Sequence, residues 1–345
     1  MATAVGNRMW KESAPEAVDR DLAALWREVS GRGTIARAVM SNLVVIRLNE
    51  RRSVERATPS ERRDSPDPPD RFAPPDLEAV VARHPSRTIV LEQDRGVDEP
   101  RRPVAARVGI SVFGPPAAQY GVEWVVLRSA CAKASWPSVV RRFALGDVPT
   151  SIWWTDDLSS APEIAPLVAT GRQLLYDSRR WPDVAAGLRI LAPHLYEGRV
   201  DLADLNWRRL TPLRIALVRG GFKLGTSDAR PKPCSLDRRI LYRPGELALA
   251  TLLDGWVATR FGSDADKSPT IAEENVGGDV LRLELGEGNT RLVARLGDER
   301  LEIEQSGTAS LLSSMPKEAD AETIAAELRR LAMDRALRDT LLSLA

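Results

Sequence analysis

The sequence predicts an α/β fold with a mixed sheet built from βαβ units, followed by a smaller α+β domain with an antiparallel meander and a C-terminal helix. Two observations carry this prediction. Through the middle of the chain, short apolar runs alternate with stretches of helical period, which is the pattern of strands joined by crossover helices. In the last third, strands of two-residue alternation follow one another through short, glycine-bearing connections.

The first elements are a helix and a buried strand. Within residues 15–30, Leu22, Leu25 and Val29 fall on one face of a 3.6-residue period, so we expect an amphipathic helix. The uninterrupted apolar run 43–46 is typical of a strand that is buried on both faces.

A proline-rich insert follows this strand at residues 51–75. It holds many charged residues and few apolar ones, so it buries too little surface to offset the entropy of ordering its chain. We therefore expect a mobile loop. The next segment, residues 75–83, has an apolar spacing that fits a short helix.

Three strands are then predicted, at residues 88–92, 104–113 and 122–129, separated by breaks rich in proline and glycine. In the second and third of them, larger apolar residues alternate with smaller ones. This pattern is typical of adjacent antiparallel strands with one face in contact with water, and we expect that arrangement here.

The central region alternates between helices and strands. The predicted elements are a helix at 135–145, a strand at 151–154, a helix at 162–169, a strand at 173–176 and a helix at 181–195. Strands that alternate with helices indicate βαβ crossovers, and so this part of the sheet should be at least partly parallel.

The last part of the chain begins with a helix start at Thr211 and Pro212, because threonine caps a helix and proline at the first position has no N–H to leave unpaired. The further elements are a helix at 244–261, three meander strands at 280–285, 290–296 and 300–305, and one long helix at 319–344.

The length of the chain suggests two domains. A proline-rich stretch near Pro231 is the predicted boundary, which gives an α/β domain at 1–230 and an α+β domain at 231–345. An alternative boundary lies near residue 160.

Composition excludes several classes of protein. The 49 basic and 48 acidic side chains nearly cancel, which argues against a dedicated nucleic-acid binder. No apolar run reaches the roughly 18 residues of a membrane span, and residues 1–11 contain no apolar core of a secretory signal. We therefore expect a cytoplasmic protein. In that reducing compartment Cys131 and Cys234 are expected to be free thiols, with a regulatory disulfide as the alternative.

The usual marks of catalysis are weak. Gly31 and Gly33 match a relaxed dinucleotide-binding pattern, but they follow a predicted helix, whereas such a loop must follow a strand. His84 and His194 have no second ligand at metal-binding spacing, which favours structural roles. We expect neither a metal site nor a cofactor site from these residues.

Three carboxylates form the best enzymatic constellation. Asp156 and Asp157 follow one predicted strand, and Asp177 follows the next. If the strands are parallel, the three side chains share the edge where open α/β sheets bind ligands, and they could hold Mg²⁺ or act as acid and base. The alternative, which we favour, is that each aspartate caps the turn or helix that follows its strand.

The densest polar and aromatic stretch is residues 204–214, here called the signature segment. Three interpretations remain open: an anion site at a helix N-terminus, a protein-binding hot spot, or an internal hydrogen-bonded knot. Its polar and aromatic members are Asp204, Asn206, Trp207, Arg208, Arg209, Thr211 and Arg214.

The signature segment, Asp-Leu-Asn-Trp-x-Arg-Leu-Thr-Pro-x-Arg, resembles the signature of the OpcA family, the glucose-6-phosphate dehydrogenase assembly proteins. The resemblance extends to segments on both sides, among them 42–45, 85–91, 147–154 and 249–262. The chain departs from the usual pattern beside Arg214, where Leu213 and Ile215 replace the expected tryptophan and glutamate.

The resemblance implies a non-catalytic protein with no cofactor of its own, which binds glucose-6-phosphate dehydrogenase in the oxidative pentose phosphate pathway. The implied action is assembly or allosteric activation of that enzyme, with the seven named members of the signature segment at the interface. The alternative function is a sugar-phosphate- or nucleotide-binding α/β enzyme that uses the acidic cluster.

Overall fold

The computed structural model describes residues 8–31, 33–49, 77–94, 103–129, 135–161, 164–219, 237–262, 269–275, 277–287, 289–307, 309–316, 318–330 and 332–345. The predicted mobile insert at 51–75, the thiols of Cys131 and Cys234, and the domain boundary at Pro231 all lie outside the described residues.

The chain forms two compact units, each assembled from separate stretches of sequence. The first unit comprises Met1–Asp156, Ile164–Leu174 and Asp320–Leu331. The second comprises Asp157–Glu163, Leu175–Ala319 and Ala332–Ala345. The domain boundary read from the sequence, with its alternative near residue 160, stays a prediction.

Strands make up much of both units. In chain order they are β1 (Arg8–Ser13), β2 (Ile35–Arg37), β3 (Ser41–Asn49), β4 (Ser86–Asp94), β5 (Pro103–Phe113), β6 (Gln119–Ser129), β7 (Thr150–Trp154), β8 (Gln173–Tyr176), β9 (Asp201–Asp204), β10 (Asp237–Tyr242), β11 (Thr270–Glu273), β12 (Leu281–Glu287), β13 (Thr290–Leu296), β14 (Arg300–Gln305) and β15 (Leu311–Ser314).

The helices are α1 (Val18–Ser30), α2 (Leu77–Arg83), α3 (Trp136–Phe143), α4 (Ala165–Val168), α5 (Val184–Glu197), α6 (Leu205–Arg209), α7 (Thr211–Arg219), α8 (Leu247–Phe261), α9 (Asp320–Arg329) and α10 (Arg335–Leu344). None of these described helices is long and apolar enough to cross a membrane.

The sheet of the first unit is mixed, as predicted. Its strands run in the order β1-β5-β6-β4-β3-β7, and β2 adds to β6. The central strand β3 is parallel to both β4 and β7, and β4 is parallel to β6. The apolar run 43–46 in β3 is fully buried, which confirms that this strand is covered on both faces.

The two strands β5 and β6 are antiparallel neighbours as expected, but the predicted wet face exists only at one end, where Ala105, Arg107 and Arg128 are exposed. Residues 108–113 are all buried. On one face of the sheet, the ring of Trp26 from α1 packs against Gly121, and a Cβ added to that glycine would lie 2.6 Å from the ring. On the opposite face, the ring of Trp10 from β1 packs equally closely against Gly109. Alternation within a strand does not reveal side chains that arrive from other elements.

The sheet of the second unit confirms the predicted meander and extends it. Its order is β11-β10-β12-β13-β14-β15, and β12, β13 and β14 are successive antiparallel neighbours. Residues along β13 and β14 alternate between buried and more exposed positions, so the two faces of this sheet differ. Helix α8 contacts β10.

The single helix predicted for 319–344 is wrong, because the chain forms two helices there, α9 and α10. Near the end of α9 the Gln173 side-chain amide donates to the carbonyl of Glu327 at 3.1 Å. At the start of α10 the Asp334 carboxylate accepts from the backbone N–H of Leu337 at 3.1 Å and caps the helix. The cap is a local signal that the apolar spacing alone does not contain.

A buried carboxylate organises the first unit. Glu123 on β6 is 1% exposed and accepts from the Trp26 indole at 2.6 Å. It is also 2.8 Å from the Arg37 guanidinium and 3.7 Å from that of Arg87. These bonds fix α1 and β2 to the middle of the sheet, because a buried charge without its partners costs several kcal/mol.

Replacing Glu123 by alanine should therefore lower the free energy of unfolding by about 3–5 kcal/mol, measured by urea unfolding with tryptophan fluorescence. Glu92→Ala is the matched control, since Glu92 pairs with the largely exposed Arg128 and should cost less than about 1 kcal/mol. Equal losses in the two variants would show that Glu123 is not a structural centre of this unit.

Candidate functional site

The signature segment occupies one strand end and two short helices of the second unit. It starts at Asp204, the last residue of β9, continues through α6 and enters α7. Helix α7 begins at Thr211, as predicted. The short helix α6 was not anticipated, because its five residues are too few to show a helical period.

Asp204 is the residue on which α6 starts. It is 2% exposed, and its Oδ1 accepts from the backbone N–H of Asn206 at 2.9 Å and from that of Ser178 at 3.1 Å. Burial, with a smaller contribution from the nearby charge of Asp177, raises the pKa of Asp204 to about 7. One carboxyl oxygen thus joins the beginning of α6 to the turn that follows β8.

Asn206 continues this connection. Its side chain is fully buried, its Nδ2 donates to the Ser178 hydroxyl at 3.0 Å, and its Oδ1 accepts from Arg209 Nη1 at 2.9 Å. An amide is suited to this position because it donates at one atom and accepts at the other.

Arg209 carries the network to the start of α8. Its guanidinium donates to both oxygens of Glu246, at 2.6 and 2.8 Å, in a two-pronged ion pair. Glu246 is 8% exposed and directly precedes α8. No local pattern in the sequence indicates this partner, which lies 37 residues away.

Trp207 connects the segment to α10. Its ring is 3% exposed, and its Nε1 donates to Asp334 Oδ2 at 3.1 Å while the other oxygen of Asp334 caps α10. The Arg214 guanidinium lies over the Trp207 ring at 3.7 Å from its centroid and donates to the Thr211 hydroxyl at 3.0 Å. The aromatic and cationic members of the segment thus contact one another.

Arg208, the remaining arginine of the signature segment, forms an ion pair that is open to solvent. It donates to Glu318 at 3.1 Å, and both side chains are partly exposed, at 28% and 53%. On α7, Ile215 and Val218 are 45% and 47% exposed. These two apolar side chains lie about one helical turn apart and are open to solvent, as is Arg219 at the end of the same helix.

The geometry therefore makes the core of the signature segment an internal knot, the third interpretation given above. Asp204, Asn206 and Trp207 are buried, and Arg209 is engaged with Glu246. The sequence left this knot as one of three interpretations and contained no signal for its distant members Ser178, Glu246 and Asp334.

All three carboxylates of the alternative ligand site accept hydrogen bonds: Asp157 and Asp177 cap the turns after their strands, whereas Asp156 bonds to β3, far away in sequence. Asp156 accepts from the backbone N–H of Leu48 at 2.7 Å. Asp157 caps a short turn by accepting from Ser159 N at 2.9 Å, and Asp177 forms a two-pronged pair with Arg179. Among the described residues, no group of three or more His, Cys, Asp or Glu side chains could hold a metal ion.

Both histidines are buried in their units. The His84 ring lies 2.9 Å from the Ser41 hydroxyl, and burial lowers the pKa of His84 to about 4. His194 lies in the last turn of α5, where burial lowers its pKa as well. A neutral imidazole in a dry position is a packing group, as the sequence suggested.

The fold and site together define a two-unit α/β protein whose densest polar cluster joins the starts of helices α6 and α8. Residues 77–193 match the family model described as glucose-6-phosphate dehydrogenase subunit N-terminal domain, and residues 200–341 match its C-terminal domain. The chain belongs to this family, the OpcA family. The signature segment lies at the start of the second match.

One curated relative is a putative OxPP cycle protein OpcA from Nostoc punctiforme, 27% identical over 190 residues. The match covers 52% of this chain and only 39% of that relative.

Among solved structures, an NAD-binding oxidoreductase from Klebsiella pneumoniae covers 89% of this chain and 96% of its own at 9% identity, with a TM-score of 0.41. A UDP-N-acetylglucosamine 3-dehydrogenase from Acidithiobacillus ferrooxidans covers 89% of this chain and 96% of its own at 12% identity, with a TM-score of 0.39. Likenesses this distant carry no argument about function.

The two arginine pairs of α6 should differ in strength. Double-mutant cycles with alanine should give a coupling of about 2 kcal/mol for Arg209 and Glu246, because the carboxylate is buried and bound at both oxygens. The neighbouring pair Arg208 and Glu318 is the control and should give less than about 1 kcal/mol, since it is exposed to water. Equal couplings, measured by urea unfolding, would contradict the internal knot.

Proposed function

We propose that this chain is a non-catalytic helper that binds glucose-6-phosphate dehydrogenase in the cytoplasm and supports its assembly or activity. The observation that carries the proposal is the ordered match of both halves of the chain to the two domains named for a subunit of that enzyme. The relative from Nostoc punctiforme, named for the oxidative pentose phosphate cycle, points the same way.

The chemistry of the signature segment supports a helper rather than an enzyme. The polar groups of Asp204, Asn206 and Arg209 form hydrogen bonds to other groups of the same unit. These bonds stabilise the position of α6. A catalytic group instead keeps a reactive atom directed at a place that a substrate can reach. No observation favours the acidic cluster as a second candidate site.

The proposed mechanism is thermodynamic linkage. A helper that binds the active or assembled form of the dehydrogenase more tightly than the inactive form shifts the equilibrium by the difference in binding free energy. A tenfold preference corresponds to about 1.4 kcal/mol. Neither a cofactor nor a bond-making step by the helper is required.

We place the contact surface at the outside of the signature segment. Arg208, Thr211 and Arg214 are half-buried there, and Ile215 and Val218 of α7 are exposed next to them in sequence. Arginine beside exposed aliphatic side chains is typical of an interface. In this proposal the buried members of the knot support the surface and do not touch the partner.

The double variant Ile215→Asp and Val218→Asp tests this surface. It should weaken binding to the dehydrogenase from the same organism at least about tenfold, because two carboxylates must then be desolvated in an apolar contact. NADPH formation and light scattering on the same mixtures measure activation and complex formation together.

Leu312→Asp is the matched control, because Leu312 is also an exposed aliphatic residue of the second unit, at 72%, but lies on β15. It should leave the titration unchanged. A wild-type protein that is folded but neither forms a complex nor changes the rate would contradict the proposed function. A complex that survives the double variant would move the contact surface elsewhere.

A further inference from the structure

The second oxygen of Asp204 is in an unusual position. Oδ2 is buried and has no hydrogen-bond partner among the described residues, while Oδ1 accepts two backbone N–H groups. The hydroxyl of Tyr176, on the adjoining end of β8, is also buried and lacks a partner within the same described part of the chain. Tyr176 and Asp204 are the last residues of neighbouring strands, and burial, with a smaller contribution from the charge of Asp204, raises the pKa of Tyr176.

The charged groups around Asp204 do not balance a negative charge. After β8, the Asp177 carboxylate repels it, and Arg179 is already bound to both oxygens of Asp177. From α6, Asn206 contributes a neutral N–H. Arg209 reaches Asp204 only through Asn206, and its own charge is neutralised by Glu246 at the start of α8.

A neutral acid fits this environment better than a carboxylate. Protonated at Oδ2, Asp204 keeps Oδ1 as the acceptor for both N–H groups and leaves no negative charge buried at that position. A carboxylate in the same place must remain desolvated beside Asp177 without a directly bound cation. The ionised form can regain water only if the cap on α6 opens.

We propose that Asp204 is a proton latch: the neutral acid holds the signature segment closed, and loss of its proton opens the cap on α6 and disturbs the α6–α7 surface that binds the partner. The second half of this inference rests on the proposed function. The first half concerns the free protein and can be tested without any partner.

The direction of the pH effect follows from the acid's preference for the neutral form. Burial raises the pKa of Asp204 from 3.8 to about 7, so its stabilising contribution is complete below pH 3.8 and is lost as the pH rises to about 7. If only the neutral form binds the partner, the apparent Kd should rise about tenfold between pH 6 and pH 8, as the protonated fraction falls.

Asp204→Asn is the test variant, because the amide imitates the neutral acid and cannot ionise. In urea unfolding of the free protein, wild type should lose stability relative to Asp204→Asn as the pH rises from 4 to 7, and the variant should be the more stable of the two at pH 8. Asp183→Asn, at the exposed cap of α5, should run parallel to wild type. Parallel curves for Asp204→Asn and wild type would overturn the latch.

The complex provides the second measurement. Between pH 6 and pH 8 the Kd of the wild type for the dehydrogenase should rise about tenfold, and that of Asp204→Asn should change only as much as the dehydrogenase itself requires. Equal changes in both proteins would overturn the coupling of the latch to binding while leaving the proposed function intact. No complex at any pH, with the stability difference present, would overturn the proposed function and leave the buried acid established.

A direct titration covers the case in which Asp204→Asn does not fold. In wild-type protein labelled with ¹³C at aspartate carboxyls, one resonance should titrate near pH 7, well above an ordinary aspartate. Tyr176→Phe, which removes the hydroxyl next to the acid, should shift that resonance and so assign it. If every aspartate titrates below about pH 5, the latch is excluded.

Discussion

The architecture around the signature segment depends on one carboxyl oxygen, Asp204 Oδ1. It accepts from the N–H of Asn206 in the first turn of α6 and from the N–H of Ser178 in the turn after β8. Buried backbone N–H groups without acceptors are costly, so this bond decides where the strand stops and the helix starts. Asn206, Arg209 and Glu246 extend the same constraint to the start of α8.

This arrangement changes how a dense polar motif should be understood. A stretch with aspartate, asparagine, tryptophan and several arginines resembles a binding site when only the sequence is known. Here most of those groups form hydrogen bonds within the protein, whereas the apolar side chains of Ile215 and Val218 are exposed to solvent. A dense polar motif can therefore serve to hold helices in place, as the bonds of Asp204, Asn206 and Arg209 do here.

Sequence reasoning succeeded where the determining interactions are local. The buried run 43–46, the meander of β12 to β14 and the helix start at Thr211 each follow from periodicity or capping within a few residues. The same reasoning anticipated a candidate knot in the signature segment.

It failed where distant parts of the chain meet. Trp10 covers β5 from the edge strand β1, which was not predicted. Asp334 caps α10, so residues 319–344 form two helices and not the one that was predicted. Glu246 and Asp334, the partners of Arg209 and Trp207, lie 37 and 127 residues away along the chain. No local pattern specifies such pairs, because they are selected by the folded sheet and helices rather than by their neighbours in sequence.

The central claim is that the knot exists before any partner binds, and hydrogen exchange of the backbone amides of Ser178 and Asn206 tests it most directly. If both N–H groups are bound to Asp204 in the free protein, they should exchange slowly at pH 6, where the acid is mostly protonated, with little change when the dehydrogenase is added. Rapid exchange in the free protein, with protection only in the complex, would contradict the account and make the knot a product of binding.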